Sequence, residues 1–471
     1  MVFSGLPFLY LFLPLFLLLY FVSSKIKWRN MILLLFSLIF YTWGEPKLIF
    51  LILLCSFICY LSGIFMASAR SKNAKRVYLT IGVSVTLGIL AFFKYWGFIV
   101  SNINYLLKAD FPIAAIALPL GISFYTFQAL TYVIDVYREE VNVQRSFFKF
   151  LLYISMFPQL VAGPIVTYSH VADQIDNRVT TLDNFAKGTI RFITGLGKKV
   201  IIANSLGKLT SLLIEGDNLN KVSVIGAWVG IFSFALQIYY DFSAYSDMAI
   251  GLGHMLGFDY PENFNFPYIS TSVTEFWRRW HMTLGSFFRN YVYIPLGGNR
   301  KRHFLNLFIV WFLTGLWHGA SWNFILWGLY FFVFLLIEKK LLLTLFKKAK
   351  LLGWVFTSFV VLLGWVIFYY TDMASLTYMF RILLGFSDRP FNDLFVNLTI
   401  NEYFFYLIIG IIGCIPISKG VKKVMNHMYN RNVVTRELSF IATCIFLIFV
   451  IFISSAMLVS SSYNPFLYFR F

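Results

Sequence analysis

The sequence predicts an all-α, polytopic integral membrane protein, and three observations carry that prediction. Hydrophobic residues make up 59% of the 471 and charged residues only 13%, where soluble domains average about 25% charged. Apolar stretches close to or above the ~18 residues that cross a bilayer recur along the whole chain. No polar stretch is long enough to fold by itself, so residues 1–471 read as a single membrane-embedded domain.

In chain order, spans are predicted near 6–23, 30–43, 47–66, 77–98, 115–134, 147–167, 188–213, 222–240, 304–316, 320–337, 353–370, 403–417 and 438–459. The shorter ones read as re-entrant. The first, GLPFLYLFLPLFLLLYFV, has no basic segment before it and no A-x-A-like site after it, so it reads as a retained helix. Cys55, Cys59, Cys414 and Cys444 lie in apolar segments and read as small buried hydrophobes.

The loops set the topology. Segments 24–29 (SKIKWR) and 70–76 (RSKNAKR) are basic, while 44–47 (GEPK) is nearly neutral, which places the N-terminus outside and the basic loops in the cytoplasm. Further basic clusters occupy 298–303, 338–350 and 418–432. The formal charge of +18 is therefore distributed over short loops. That pattern speaks against a nucleic-acid partner and for anionic lipid headgroups or an anionic soluble donor.

Residues 235–323 mix aromatic, acidic, basic and glycine–proline elements, a composition that lipid tolerates only where backbone is buried in protein or lines a cavity. Candidate site residues concentrate here. Asp241 and Asp247 flank FSAYS and either line a cavity or cap a following short helix. Asn263, in the PENF turn, can orient a substrate or a histidine through its amide, or serve the turn itself. STSVTEFWRRWHMTLGSFFRN reads as an amphipathic helix started by Ser272 or Thr274, with Trp277 and His281 on one face. Arg278, Arg279 and Arg289, with the run Arg300, Lys301 and Arg302, suit the phosphates or carboxylate of a donor, or snorkel to headgroups. His318 lies in TGLWHGASWN beside Trp317, between Gly315 and Gly319. Histidine suits general-base work because its ordinary pKa lies near neutrality. His170, His254, His303 and His427 read as solvated or interfacial. Nucleophile-elbow, zincin, P-loop and dinucleotide motifs do not stand out, and no carboxylate–histidine spacing argues for a metal.

With these residues placed, the chain resembles the membrane-bound O-acyltransferases, and within them the alginate O-acetyltransferase branch that modifies bacterial exopolysaccharides. The resemblance rests on MVFSGLPFLYLFLPL, LPLGISFYTFQALTYVIDVYR, FPQLVAGPI, DFSAYSDMAIG, ENFNFPY, FWRRWHMTLGSFFRNYVYIPLGGNR, TGLWHGASWNF and the terminal FLYFRF. It implies a helical body with a central tunnel and short interfacial helices. It also implies two characteristic histidines, with His318 the general base and His281 assisting. Asn263, Trp277, Arg278, Arg279, Trp317, Asp241 and Asp247 would contact substrates, and Arg289, Arg300, Lys301 and Arg302 the donor. The implied reaction moves an acyl group, most simply acetyl, from a cytoplasmic thioester to hydroxyls of an extracytoplasmic polysaccharide. The co-substrate would be acetyl-CoA or an acyl-carrier protein, with no permanently bound cofactor. A separate esterase-like (SGNH-type) partner could complete the transfer. The expected place is the bacterial cytoplasmic membrane. Two other readings stay open at this point: D-alanyl transfer toward teichoic acid, and a glycan or donor transporter, although transporters often show repeated halves and no repeat is visible.

Overall fold

The computed structural model describes residues 2–114, 116–161, 163–431, 433–461, 463–464 and 466–467. Residues 468–471 of the terminal FLYFRF lie outside the described residues. All regular structure among the described residues is helical. Among the described residues, six helices are long and apolar enough to cross a membrane: Ile49–Ser68, Lys72–Leu107, Val224–Leu256, Lys350–Tyr369, Leu394–Gly413 and Val433–Ser460. The protein is an all-α, multi-pass membrane protein.

The spans differ in how far protein covers them. The most apolar part of Val224–Leu256 is 72% buried, against 17% for Leu394–Gly413 and 11% for Val433–Ser460. The physical reason lies in their side chains. Val224–Leu256 carries Gln237, Asp241, Ser243, Ser246 and Asp247, which hydrocarbon would not solvate, so protein must surround them. The other two helices present Phe404, Phe405, Phe449 and Phe452 outward.

Several predicted spans change shape. The span near 77–98 extends to Lys72–Leu107, started by Ser71, whose Oγ accepts from Ala74 N at 3.1 Å. The span near 147–167 breaks into Phe147–Ser155 and Phe157–Leu160, with Pro158 in the first turn of the second piece. The span near 222–240 continues to Leu256 and absorbs both aspartates, so neither Asp241 nor Asp247 caps a following helix.

The chain divides into two compact units. The first comprises Met1–Arg191, Met248–Glu262 and Ser286–Gly298. Its core packs Phe8, Phe12 and Phe16 edge-on and Phe40 at a tilt against Phe157, and a buried Arg178 donates to Tyr20 Oη and to the Leu256 carbonyl. The second comprises Phe192–Asp247, Asn263–Gly285 and Asn299–Phe471, and holds both candidate histidines. Six helices matter for the site: α1 (Val224–Leu256), α2 (Val273–Arg279), α3 (Met282–Phe288), α4 (His303–His318), α5 (Trp322–Ile337) and α6 (Lys350–Tyr369).

Candidate active site

His281 sits at a break in the chain. Helix α2 opens on Ser272, whose Oγ accepts from Glu275 N at 3.0 Å. The buried Glu338 carboxylate accepts from Val273 N, Thr274 N and Thr274 Oγ1, satisfying backbone donors that a helix start leaves open. The helix stops at Arg279, Trp280 turns extended, and His281 adopts φ +44°. A side chain in this left-handed region is strained and persists only where surroundings impose it. Helix α3 then restarts, with Gly285 N donating to the His281 carbonyl. The predicted continuous helix is therefore two helices, and the four-residue spacing of Trp277 and His281 does not put them on one helical face.

Asn263 imposes the break. Its backbone carbonyl accepts from Met282 N at 2.9 Å. Its Oδ1 accepts from Thr283 N at 3.3 Å and Thr283 Oγ1 at 2.9 Å, and lies 3.0 Å from His281 Nδ1. Its Nδ2 donates to Ser246 Oγ of α1 at 3.1 Å. An amide oxygen only accepts, so His281 Nδ1 carries the proton and Nε2 is the acceptor of the ring. Burial pushes the His281 imidazole down to about 3, because the cation is poorly solvated there. The ring is neutral at neutral pH.

His318 ends α4. Gly315 and Gly328 let α4 and α5 meet backbone to backbone: a Cβ on Gly315 would strike the Phe324 carbonyl, and one on Gly328 the Trp311 carbonyl. The rings of Trp317, Trp327 and Phe368 contact the buried imidazole, with centroids 4.9, 4.9 and 5.2 Å away. Asn323 places the last of these, since its Nδ2 donates to the Ile367 and Phe368 carbonyls at the end of α6. Trp317 also lies 5.7 Å from the His281 ring, so a single indole contacts both histidines. Phe242 of α1 closes on His281 at 4.6 Å.

The other expected residues divide. Asp241 is buried in a 2.6 Å ion pair with Lys199, and its Oδ2 accepts from Leu467 N. Asp247 pairs with the adjacent Lys198 at 2.7 Å. Arg279 is held by Glu275 at 2.8 Å and by the Asn265 carbonyl at 3.0 Å, so the carboxylate it meets belongs to its own helix. Trp277 packs among Trp311, Trp327 and Phe331. Arg278, Arg289, Arg300, Lys301 and Arg302 are exposed, Arg289 in the first unit and the others in the second. Near the start of α4, Lys339 Nζ lies 2.7 Å from His303 Nε2 and Lys340 stacks over Phe304. Sequence reasoning missed Ser246, Thr283, Lys198, Lys199, Asn323, Trp327 and Glu338. The KK pair at 198–199, inside an otherwise apolar run, was the one signal available for partners of the aspartates. Among the described residues, no group of three or more His, Cys, Asp or Glu could hold a metal.

Comparison with known proteins adds to this geometry. The membrane-bound O-acyltransferase family profile matches residues 35–380. A protein named "Probable alginate O-acetylase AlgI" from Azotobacter vinelandii is 42% identical over 84% of this chain and 80% of its own length. One of the same name from Pseudomonas putida is 38% identical over the whole of both chains. A "Peptidoglycan O-acetyltransferase" from Helicobacter pylori is 33% identical over 81% of this chain and 79% of its own. Both histidines, the asparagine that holds one of them and the aromatic rings around the other fall inside the matched region, and the chain belongs to the membrane-bound O-acyltransferase family.

Proposed function

We propose that this membrane O-acyltransferase transfers an acetyl group from a cytoplasmic thioester to a hydroxyl destined for an extracytoplasmic polysaccharide, with residues 1–471 acting as one catalytic domain. The relatives named for alginate and peptidoglycan O-acetylation support acyl transfer to a polysaccharide. The observation that carries the residue assignment is the pair of buried histidines on one indole, Trp317, with different surroundings.

His318 is the general base. Its imidazole takes the proton as the acceptor hydroxyl attacks the thioester carbonyl, and returns it to the leaving thiolate, a contribution of roughly 10²–10⁴-fold. His281 is held neutral with Nδ1–H on Asn263 and Nε2 as acceptor. A group that gains a proton only near pH 3 is a weak base at neutral pH, so it orients the attacking hydroxyl by accepting its hydrogen bond. Trp277 and Trp317 line the acyl pocket. Asn263, Asp241, Asp247 and Arg279 support it through the partners already described.

The donor enters at the other end of α4. Arg300, Lys301, Arg302 and Arg278 are exposed in the same unit, and Lys339 and Lys340 flank the helix start. A thioester whose anionic head rests there must reach about 22 Å along the helix to meet His318, at 1.5 Å per residue. Acetyl-CoA meets both requirements, being anionic at one end and a thioester at the end of a long arm. An acidic carrier protein with a thioester arm meets them too. The basic end faces the cytoplasm, and an extracytoplasmic esterase-like partner receives the acyl group or hands on the hydroxyl. Acetyl-ester content of the exported polymer, measured in cells carrying His318→Ala at wild-type protein level, tests the reading: loss of ester is expected, and normal ester content contradicts it.

A further inference from the structure

We propose that Trp327 is a catalytic residue whose indole N–H receives the negative charge that develops on the acyl carbonyl oxygen. The inference rests on the acyl-transfer reading above and extends it to a residue that neither the motifs nor the histidine pattern singled out.

Trp327 is fully buried, and its Nε1 has no hydrogen-bond partner among the described residues. An indole nitrogen is a donor only. Buried polar groups are almost always paired, so an enclosed N–H without an acceptor calls for an explanation, and a ligand oxygen is one. The position fits. The Trp327 ring lies 4.9 Å from the His318 imidazole, at 81° to it. Trp277 carries another buried indole N–H without an acceptor among the described residues and meets Trp327 at 5.3 Å and 90°. Trp317 also lies 4.9 Å from the base, but its ring is shared with His281, whereas Trp327 faces His318 from the α5 side.

The competing donors are committed. Asn263 Nδ2 donates to Ser246 Oγ. Asn323 Nδ2 is taken by the Ile367 and Phe368 carbonyls. The Arg279 guanidinium is taken by Glu275 and the Asn265 carbonyl. An oxyanion donor works best when it is fixed in place and dry before the reaction begins. Trp327 is fixed by Trp277, Trp311, Phe331 and Phe368.

The step balances. The acceptor oxygen forms a bond to the thioester carbonyl carbon while its proton passes to His318. The carbonyl π electrons move onto oxygen, where the Trp327 N–H holds them. Collapse re-forms the carbonyl and expels the thiolate, which takes the proton from His318, leaving an ester and a thiol.

The test uses the purified full-length protein in lipid nanodiscs, with acetyl-CoA as the probe, a hydroxyl-bearing oligosaccharide as acceptor, and thiol release as the readout. Trp327→Phe removes the N–H and part of the ring. Trp327→3-benzothienylalanine keeps the bicyclic shape and replaces N–H by sulfur, so it isolates the donor even if the Phe variant packs poorly. The expected result is a kcat lower by about a hundredfold in both, with KM for acetyl-CoA changed by less than about twofold and the benzothienyl variant unfolding at the wild-type temperature. Trp228→Phe, which removes an indole of the same unit outside the site, is expected to keep kcat. A benzothienyl variant with wild-type kcat overturns the inference, and so does a Trp228→Phe loss as large as that at 327. The same assay on His318→Ala separates the two claims: a wild-type rate there removes the base and this inference with it, whereas a wild-type rate confined to the Trp327 variants removes only the donor.

Discussion

The surroundings of His281 and of His318 are built from opposite materials. His281 stands at a helix break in a left-handed conformation, in a polar cradle: Asn263 holds its Nδ1, and Thr283 and Ser246 hold Asn263. His318 stands at the end of a regular helix among rings, contacted by Trp317, Trp327 and Phe368. The contrast shows how one site can use two histidines without making them equivalent. The hydrogen bond to Asn263 fixes the tautomer, and burial keeps the ring neutral. An aromatic wall excludes water and sets position by shape, leaving proton exchange to the substrate that arrives.

The largest effect that could break this comparison is at His318. His318→Ala should lower acetyl transfer by roughly 10²–10⁴-fold while the protein remains folded, read as thiol release and by thermal unfolding in parallel. A comparable loss in His281→Gln would erase the distinction, because glutamine offers an uncharged polar group in place of the neutral ring. We expect that variant to lose substantially less.

Next comes the cradle. Asn263→Ala removes the acceptor shared by His281 and Thr283 and leaves buried donors unsatisfied. It should cost at least about 2 kcal/mol of stability by denaturant unfolding, together with activity. Asn263→Asp keeps an acceptor but places a carboxylate against Nδ1–H, favouring the imidazolium. It should lower kcat at neutral pH while the fold survives, because an imidazolium Nε2 donates and no longer accepts the hydroxyl's hydrogen bond, and an unchanged kcat would mean that His281 does not touch the reaction.

The buried ion pair predicts a stability effect of similar size. Asp241→Asn leaves Lys199 without its partner charge inside the second unit and should cost about 3–5 kcal/mol. Gly315→Ala forces a methyl group into the Phe324 carbonyl and should destabilise the α4–α5 contact by about 1–3 kcal/mol, lowering activity by displacing His318.

The smallest effect is in the pH dependence of stability. In the fold His281 has its pKa lowered from the ordinary 6.5 to about 3. A depressed histidine contributes stability that is complete above its unfolded value and is lost as pH falls from 6.5 toward 3. His281→Gln should therefore flatten the decline of melting temperature below pH 6.5, and a decline as steep as in the wild type would show that the ring is not buried neutral.

Much of this was legible in the sequence, and the remainder follows a pattern. Membrane character and helical class came from composition and apolar stretches, which are properties of segments. Both histidines were visible because an ionisable ring amid W-H-G and R-W-H-M is conspicuous in an apolar chain. What could not be read was pairing. Asp241 and Asp247 looked like helix caps because their partners, Lys198 and Lys199, lie more than forty residues away along the chain. The break at His281 was hidden because TEFWRRWHMTLGSFF has no proline and good helix formers, and the force that breaks it is a long-range bond from Asn263. Trp327 was lost among twelve tryptophans, since only packing distinguishes an indole beside an imidazole from one facing lipid.

The central claim is that the two histidines divide the work, with His318 moving the proton and His281 staying neutral. The pH dependence of kcat for thiol release from acetyl-CoA, measured on reconstituted wild-type protein and on His281→Gln, tests it most directly. The variant is expected to be slower with the same acid limb, because proton transfer to His318 does not depend on the His281 ring. An acid limb that disappears with His281 would contradict it.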